Sequence, residues 1–572
     1  MEEEAGRRME RGEGDQLRGA TTGSRRVAAA VVGASGGEIE IQMEAATVGS
    51  GASAAAAAAS TSSGQEGDAE DGLQQQTPTW KRFLAHAGPG FLISLAYLDP
   101  SNGELHLIVL RRKEVQTDLQ AGSIHKYELL WVLFFGFFLV LVIQSLAVKL
   151  GIITGRNLAE MCMYEYPKYV KYGLWLLIEV GVIAATIPGV LGTALAYNIL
   201  LNIPFLAGVL ICGASTFLLL GLQTYGVRKM ELIGVIFMLL ITVCFFIELS
   251  SVNPPMGEVI EGLFIPRLRG VYAMSDAIAL FSVLIVPHNL FLHSSLVVSR
   301  KISPSSKRFK DTSTFFLIEN ACAMLLVLLV NVAIVSTTGT ICANTQLVDN
   351  IDACSSLTLK STSILLKNMF GRSTSKIYGL ALLASGQSNT VTTSYAGQYI
   401  MQGFSGMRKC IIFMIAPCFT VIPSLIICSV GGAPNIRQLI NISAIILAFV
   451  LPFSLVPLLK FSSSCVVKVP YKNSNSIVKV AWILSVVIMG INIYFFCNSF
   501  ISCLVHSELP RAVNAIISIL VFPFMAAYIA ALIYLAFRKV NAAGLFPSVP
   551  VSNGTEVEAW RQERIADDIG VR

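Results

Sequence analysis

The chain has 572 residues, of which 54% are hydrophobic and 14% are charged, and its formal net charge at pH 7 is +6. A soluble protein of this length would carry about 25% charged residues, so the composition excludes a soluble globular protein. Repeated apolar stretches of about 20 residues predict an all-α polytopic membrane protein. The small positive charge indicates no nucleic-acid partner, because basic residues beside membrane helices usually set their orientation.

Residues 1–79 differ in composition from the rest of the chain. The stretch "GASAAAAAASTSSGQEGDAEDG" has no aromatic residue and no apolar period, which predicts a disordered cytoplasmic tail. No apolar segment of a secretory signal follows the early basic residues. Trp80, Lys81 and Arg82 suit a membrane edge, so a transmembrane domain is predicted over residues 80–539. Residues 540–572 are predicted to form a cytoplasmic C-terminal tail.

Length and apolarity predict about 12 membrane spans in this domain. They begin near residues 84, 129, 172, 204, 230, 275, 314, 377, 410, 438, 477 and 511. Basic residues follow each even-numbered span, whereas the opposite loops are poorer in charge, with Arg267 and Arg269 as the main exceptions. This asymmetry predicts that both termini are cytoplasmic.

The first and sixth spans are interrupted in the same way. The segments "ISLAYLDPSNGELH", from Ile93 to His106, and "LFSVLIVPHNLFLHS", from Leu280 to Ser294, are apolar runs broken at Pro-x-Asn. Five spans separate the two breaks, and an odd number of helices inverts the second copy relative to the first. The spacing therefore predicts a five-plus-five inverted repeat with two discontinuous helices that meet near the bilayer midplane, and with the last two spans outside the repeat.

Asp99 is the strongest single candidate for a functional residue. A carboxylate deep in an apolar span costs several kcal/mol unless it faces a partner, an ion or a cavity. Pro100 frees a backbone carbonyl near Ala96, and Asn102 adds an amide oxygen. This oxygen-rich set suits a divalent cation as substrate. The alternative is that Asp-Pro-Ser-Asn is only a turn between two short helices.

The second break adds further polar groups. Pro287 frees a carbonyl near Val283, and His288, Asn289 and His293 follow within one apolar run. A histidine in a membrane helix can relay protons, because its ordinary pKa is close to 6.5. The alternative for both His288 and His293 is a histidine buried in the core with its hydrogen bonds satisfied.

The 12 cysteines show no CxxC pair and no Cys/His spacing typical of a metal module. Most lie inside apolar runs and are interpreted as small core residues. Cys342 and Cys354 lie in one polar loop and form the candidate disulfide, provided that the loop faces an oxidising compartment.

Several motifs resemble those of the Nramp (natural resistance-associated macrophage protein) family of proton-coupled divalent metal transporters, especially its plant members. They are "GPGFLISLAYLDPSN", "DLQAG", "YELLWV", "GVRKMEL", "PHNLFLHS" and "LLASGQSNTVTTSYAGQYIMQGF". The resemblance implies a LeuT-like fold that imports Mn²⁺, Fe²⁺ or related ions, with no cofactor and no enzymatic activity. It also implies metal ligation by Asp99, Asn102 and the Ala96 carbonyl, and it places Val286 where the family has a methionine ligand.

The chain departs from the family at several positions. Val286 has no thioether, and methionine sulfur favours softer metals, so we expect weaker discrimination against Mg²⁺ or Ca²⁺. Thr186 and Gly189 replace an acidic pair in the third span, and Pro417 replaces a proton-path arginine. Val450 stands where relatives usually have a polar residue. The resemblance therefore leaves proton coupling of the family's kind in question, with His288 as the residual proton-responsive group.

An additional segment, Gly103 to Glu114, separates Asn102 from the "VQTDLQAG" that follows it. Relatives pass from the asparagine to "LETDLQAG" without such a segment. It brings Arg111, Arg112 and Lys113 beside the predicted break, where cations repel a divalent metal unless they loop into water. Two interpretations stay open: a loop with a gating role, or an alternative transcript or retained intron.

The leading hypothesis is a transporter of divalent metal ions that works by alternating access, embedded in the plasma membrane or an endomembrane. The alternative is a non-transporting membrane sensor or scaffold that keeps the fold. An amino-acid carrier of similar fold is disfavoured, because a buried aspartate suits a cation better than a substrate carboxylate.

Overall fold

The computed structural model describes residues 88–98, 127–222, 226–268, 277, 284–300, 306–343, 359–406, 409–432, 435–463, 475–505 and 511–539. All of them belong to one unit, Pro78–Arg572, which is separate from Met1–Thr77. The predictions for Asp99, Asn102, Val283, Cys354, the segment 103–114 and both tails lie outside the described residues, as does the side chain of Cys342.

All regular secondary structure in the described part of the chain is helical. Its elements in chain order are α1 (Pro89–Ser94, continued by a 3-10 turn at Leu95–Tyr97), α2 (Leu130–Thr154), α3 (Leu158–Glu165), α4 (Lys168–Leu201), α5 (Phe205–Gly221), α6 (Val227–Val252), α7 (Met256–Phe264), α8 (Pro287–Val298), α9 (Ser306–Ala343), α10 (Leu359–Phe370), α11 (Arg372–Ser405), α12 (Lys409–Gly431), α13 (Ile436–Ser463), α14 (Asn475–Val505) and α15 (Arg511–Phe537).

Six helices within the described ranges are long and apolar enough to cross a membrane, namely α2, α4, α6, α9, α12 and α13. Shorter apolar helices cover α5 and parts of α14 and α15. Ten of the predicted span starts fall within about two turns of the start of an observed helix. The other two, near residues 84 and 275, lie outside the described residues.

Both predicted breaks coincide with a helix boundary, the first with the end of a helix and the second with the start of one. The 3-10 turn after α1 ends at Tyr97, and Leu98, which directly precedes Asp99, is not helical. Leu284, Ile285 and Val286 are also not helical, and α8 begins at Pro287. Proline suits the first helical position, because its missing N–H would have no partner there and its φ is already helical. Within the described residues, the helix of the sixth span therefore begins at the predicted break.

The longest seam in the core joins α4 to α11 through small side chains. A Cβ atom at Gly189 would lie 2.9 Å from the Gly386 carbonyl oxygen, and one at Gly386 would lie 2.7 Å from the Gly189 carbonyl oxygen. Glycine at both positions lets the two backbones touch, as in many membrane-helix interfaces. This contact leaves no room for a larger side chain at residue 189.

Pro188 interrupts the hydrogen bonding of α4, and neighbouring helices compensate for it. Because proline has no N–H, the Ala184 carbonyl loses its donor within the helix. Ser443 of α13 donates to that carbonyl instead. The adjacent Ile183 carbonyl accepts from Ser424 Oγ of α12 at 3.0 Å, and the Ala185 carbonyl accepts from Asn389 Nδ2 of α11 at 3.3 Å. These bonds tie α4 to three other helices beside Pro188.

We expect Ser443→Ala to destabilise this junction by about 1–3 kcal/mol, because it leaves a buried carbonyl without a donor. The measurement is the apparent melting temperature of the purified protein in detergent. Ser429→Ala is the matched control, because Ser429 Oγ donates only to the Leu425 carbonyl of its own helix, at 2.7 Å. Equal melting temperatures for the two variants would contradict the role assigned to Ser443.

Candidate metal site between the interrupted helices

The described members of the predicted site are buried and lie on two helices that pack against each other. Ala96 is in the turn that continues α1, Val286 directly precedes α8, and His288 and His293 lie within α8. Their exposed fractions are 3%, 7%, 1% and 0%. Asp99 directly follows Leu98, the last described residue of this segment, and Leu98 is buried.

A chain of polar side chains links the two interrupted helices through α2. Gln144 Nε2 donates to Tyr97 Oη at 2.9 Å, and Gln144 Oε1 lies 2.8 Å from His293 Nδ1. Since the amide oxygen can only accept, this bond assigns a proton to Nδ1 of His293. The Asn289 side chain and the Val286 backbone also lie near the Tyr97 hydroxyl. His293 therefore belongs to a network that spans both breaks.

Two further helices hold the carbonyl groups at the end of the first helix. Asn331 Nδ2 of α9 donates to the Tyr97 carbonyl at 3.0 Å, and Ser385 Oγ of α11 donates to the Leu98 carbonyl at 3.1 Å. A continuing helix would supply backbone N–H donors to these two carbonyls. Because the helix ends here, the side chains of Asn331 and Ser385 supply the donors instead. They also fix the direction in which the backbone enters Asp99.

Several buried polar atoms beside the break have no hydrogen-bond partner among the described residues. They are both ring nitrogens of His288 and Nε2 of His293. Buried polar groups are almost always hydrogen-bonded, and leaving one unpaired costs about 1–3 kcal/mol. Such groups fit a segment that contacts water or a polar substrate during its working cycle.

The seam between α4 and α11 occupies the place of the family's acidic pair. Thr186 Oγ1 donates to the Val182 carbonyl at 2.8 Å and lies 3.0 Å from Thr393 Oγ1. Gly189, three residues further along α4, packs directly against the backbone of Gly386. Val450, another departure, is buried, and its Cγ1 lies 3.1 Å from the place of a Cβ at Gly181. No carboxylate can be accommodated at residue 189 without separating the two helices.

Sequence reasoning missed several polar residues of this region. Gln144, Asn331 and Ser385 were not selected, although each is a polar residue within an apolar run, which is the signal that could have found them. Glu179 of α4 was also missed. It is buried, lies about two turns before Thr186, and accepts from Trp175 Nε1 at 3.0 Å.

The described residues hold no group of three or more His, Cys, Asp and Glu side chains close enough to bind a metal ion.

These features define a class of membrane protein. A helix that stops directly before an aspartate packs against a second helix that begins within the membrane domain, and polar side chains connect them. This is the architecture of secondary transporters built around discontinuous helices. Residues 90–498 match the family described as Natural resistance-associated macrophage protein-like, or Nramp, and the chain belongs to this family.

Relatives from plants extend the match over most of the chain. Metal transporter Nramp4 of Oryza sativa subsp. japonica is 67% identical over 496 residues, which cover 87% of this chain and 88% of that protein. Metal transporter Nramp5 of the same plant is 52% identical over 475 residues, covering 82% of this chain and 86% of that protein. The predicted family is thus confirmed.

Solved structures agree with the fold. A mutant of the Eremococcus coleocola manganese transporter superposes with a TM-score of 0.67 at 25% identity, over 80% of this chain and 95% of that chain. The same transporter with an aromatic bis-isothiourea compound gives a TM-score of 0.66 at 26% identity, over 80% and 94%. The prediction of an all-α, LeuT-like integral membrane protein is confirmed, and family membership identifies a transporter-type protein rather than an enzyme.

Proposed function

We propose that this protein carries divalent metal ions across a membrane by alternating access. The observation that carries the proposal is the paired interruption, in which one helix ends before Asp99 and α8 begins at Pro287, with Gln144 linking them. Relatives named as metal transporters in rice and a bacterial manganese transporter of the same fold support it. In the transport cycle, α1 and α8 rock against the helices that are hydrogen-bonded to one another beside Pro188.

The proposed metal ligands are the side chains of Asp99 and Asn102 and the carbonyl oxygens of Ala96 and Val283. Water would complete the shell, as is usual for oxygen-ligated divalent cations. Val286 is buried at the break but offers only an apolar side chain where the family has a methionine. The site is therefore harder in character than that of the family, and it should accept Mg²⁺ or Ca²⁺ more readily beside Mn²⁺ and Fe²⁺.

Proton coupling is proposed to be weak or absent. The tight contact of Gly189 with Gly386 and the bond between Thr186 and Thr393 leave no acidic group at these positions of α4. Within a membrane, proton movement uses chains of Asp, Glu or His side chains. His288 and His293 are the titratable groups of this kind on α8, and Glu179 is the one on the described part of α4 nearest to Thr186.

We expect the purified protein to take up metal ions in proteoliposomes and to show little dependence on a pH gradient. Uptake of Mn²⁺, Fe²⁺ and Mg²⁺ is measured with an inward proton gradient and without one. The two rates should differ by less than about twofold, since residues 186 and 189 lack the acidic pair of the family. Protein-free liposomes provide the control. No flux of any of the three ions under any gradient would reject transport and favour the sensor or scaffold alternative.

The orientation is part of the proposal. Basic residues that follow the even-numbered spans support a cytoplasmic position for both termini. The plasma membrane or an endomembrane is the proposed location. Protease accessibility of terminal epitope tags in sealed vesicles tests the orientation, and cleavage of the two tags from opposite sides would contradict it.

A further inference from the structure

Glu319 of α9 holds the start of α1. Its Oε1 accepts hydrogen bonds from the backbone N–H groups of Gly88 at 2.6 Å and Gly90 at 2.9 Å. The first N–H groups of a helix have no partner within the helix, and a carboxylate satisfies them well because it also offsets their partial positive charge. Glu319 is only 1% exposed. The bonds join parts of the chain that are more than 200 residues apart.

Glu231 of α6 also lies against the start of α1. A Cβ atom at Gly88 would clash with the Glu231 carboxylate. The φ angle of Gly88 is +144°, which a residue with a side chain rarely adopts. Glycine at this position therefore allows α1 to approach both carboxylates at once.

The second interrupted helix, α8, is attached to the Glu231 carboxylate. Glu231 Oε2 pairs with the guanidinium of Arg300, which lies just after the end of α8. Arg228 Nη1 lies 3.9 Å from the same oxygen. The Arg300 side chain is 12% exposed and that of Glu231 is 3% exposed, so water screens their pair far less than a surface ion pair. The start of α1 and the end of α8 are thus fastened at one place.

We propose that Glu319, Glu231 and Arg300 form a latch that keeps the candidate metal site closed on the cytoplasmic side. The three residues hold the two interrupted helices against α6 and α9. Release of α1 from Glu319 would open a path along α1 towards the break. Arg228, Lys229 and Arg300 assign this end of the helices to the cytoplasm. The latch rests on the proposed function, in which α1 and α8 move during transport.

The test measures how often α1 separates from α6 and exposes residue 92 to a labelling reagent. Leu92 lies on α1, is 2% exposed, and packs against α6 at Gly234. A Leu92→Cys protein in inside-out vesicles is labelled with a membrane-impermeant maleimide. In this background Glu319→Gln should raise the labelling rate about fivefold, because the amide lacks the charge that strengthens the bonds to Gly88 and Gly90. Gly88→Ala should also raise it, since the methyl group pushes α1 from the carboxylates.

Glu258→Gln is the matched control, because Glu258 lies exposed in the first turn of α7 and should leave the labelling rate unchanged. The protein without Leu92→Cys measures labelling of the native cysteines. If both latch variants are folded by size-exclusion elution and label at the parental rate, the latch is wrong. Labelling needs no metal flux, so faster labelling in a protein that transports nothing would reject the proposed function while supporting the latch.

Discussion

Asp99→Ala should lower metal uptake by about a hundredfold or more, because loss of even an outer-shell partner of a metal costs about 10–100-fold. Asp99 is the one carboxylate among the proposed ligands, and its removal leaves neutral oxygens to replace the water around a divalent cation. The measurement is uptake of Mn²⁺ or Fe²⁺ into metal-starved cells. Cells that produce the Asp99→Ala variant are compared with cells that produce an equal amount of the parent protein. The Tyr97 and Leu98 carbonyls before Asp99 are held by α9 and α11, so the backbone path into the site should persist in the variant.

Glu258→Ala is the control for the removal of a carboxylate, because this residue is exposed on α7, away from the breaks. It should transport like the parent protein. Uptake that is unchanged in Asp99→Ala would show that the metal site lies elsewhere. Loss of uptake in both variants would show that the assay responds to something other than the site.

Val286→Met should sharpen metal selectivity by about tenfold, equivalent to about 1.4 kcal/mol, in favour of Mn²⁺ and Cd²⁺ over Mg²⁺ and Ca²⁺, because thioether sulfur favours softer metal ions. Val286 directly precedes α8 in an extended conformation, so its side chain is at the break rather than within a helix. The measurement is competition among these ions for uptake at constant total protein.

Val286→Leu is the matched control, since it adds apolar volume at the same position without adding sulfur. It should leave the order of preference unchanged. A shift of equal size in both variants would mean that cavity volume, and not the thioether, sets selectivity. No shift in either variant would remove Val286 from the proposed site.

The spans and breaks were predictable because each depends on local sequence. In a bilayer the backbone must satisfy its own hydrogen bonds, so long apolar runs form helices whatever their neighbours. Pro287 stops the preceding hydrogen-bond pattern by its own chemistry, and α8 begins at that residue. The ten span starts that can be compared follow from the same principle.

The polar contacts of the site were not predictable in the same way. Asn331 and Ser385 lie in helices far along the chain from Tyr97 and Leu98, whose carbonyls they bind. Within a span, a serine or threonine that bonds its own helix has the same sequence signature as one that bonds another helix. Ser429 and Ser443 illustrate the two cases, and only the packing of α13 on α4 separates them.

The sequence by itself determined the family, the helical membrane class and the two interruptions, and it predicted Asp99 and Asn102 as ligands. Only the tertiary structure decided that Gln144 joins Tyr97 to His293, that Gly189 is sealed against Gly386, and that Glu319 holds α1. The physical reason is that helix formation in a membrane is a local property of apolar sequence. Hydrogen bonds between helices depend instead on which faces meet, and therefore on the packing of the whole domain.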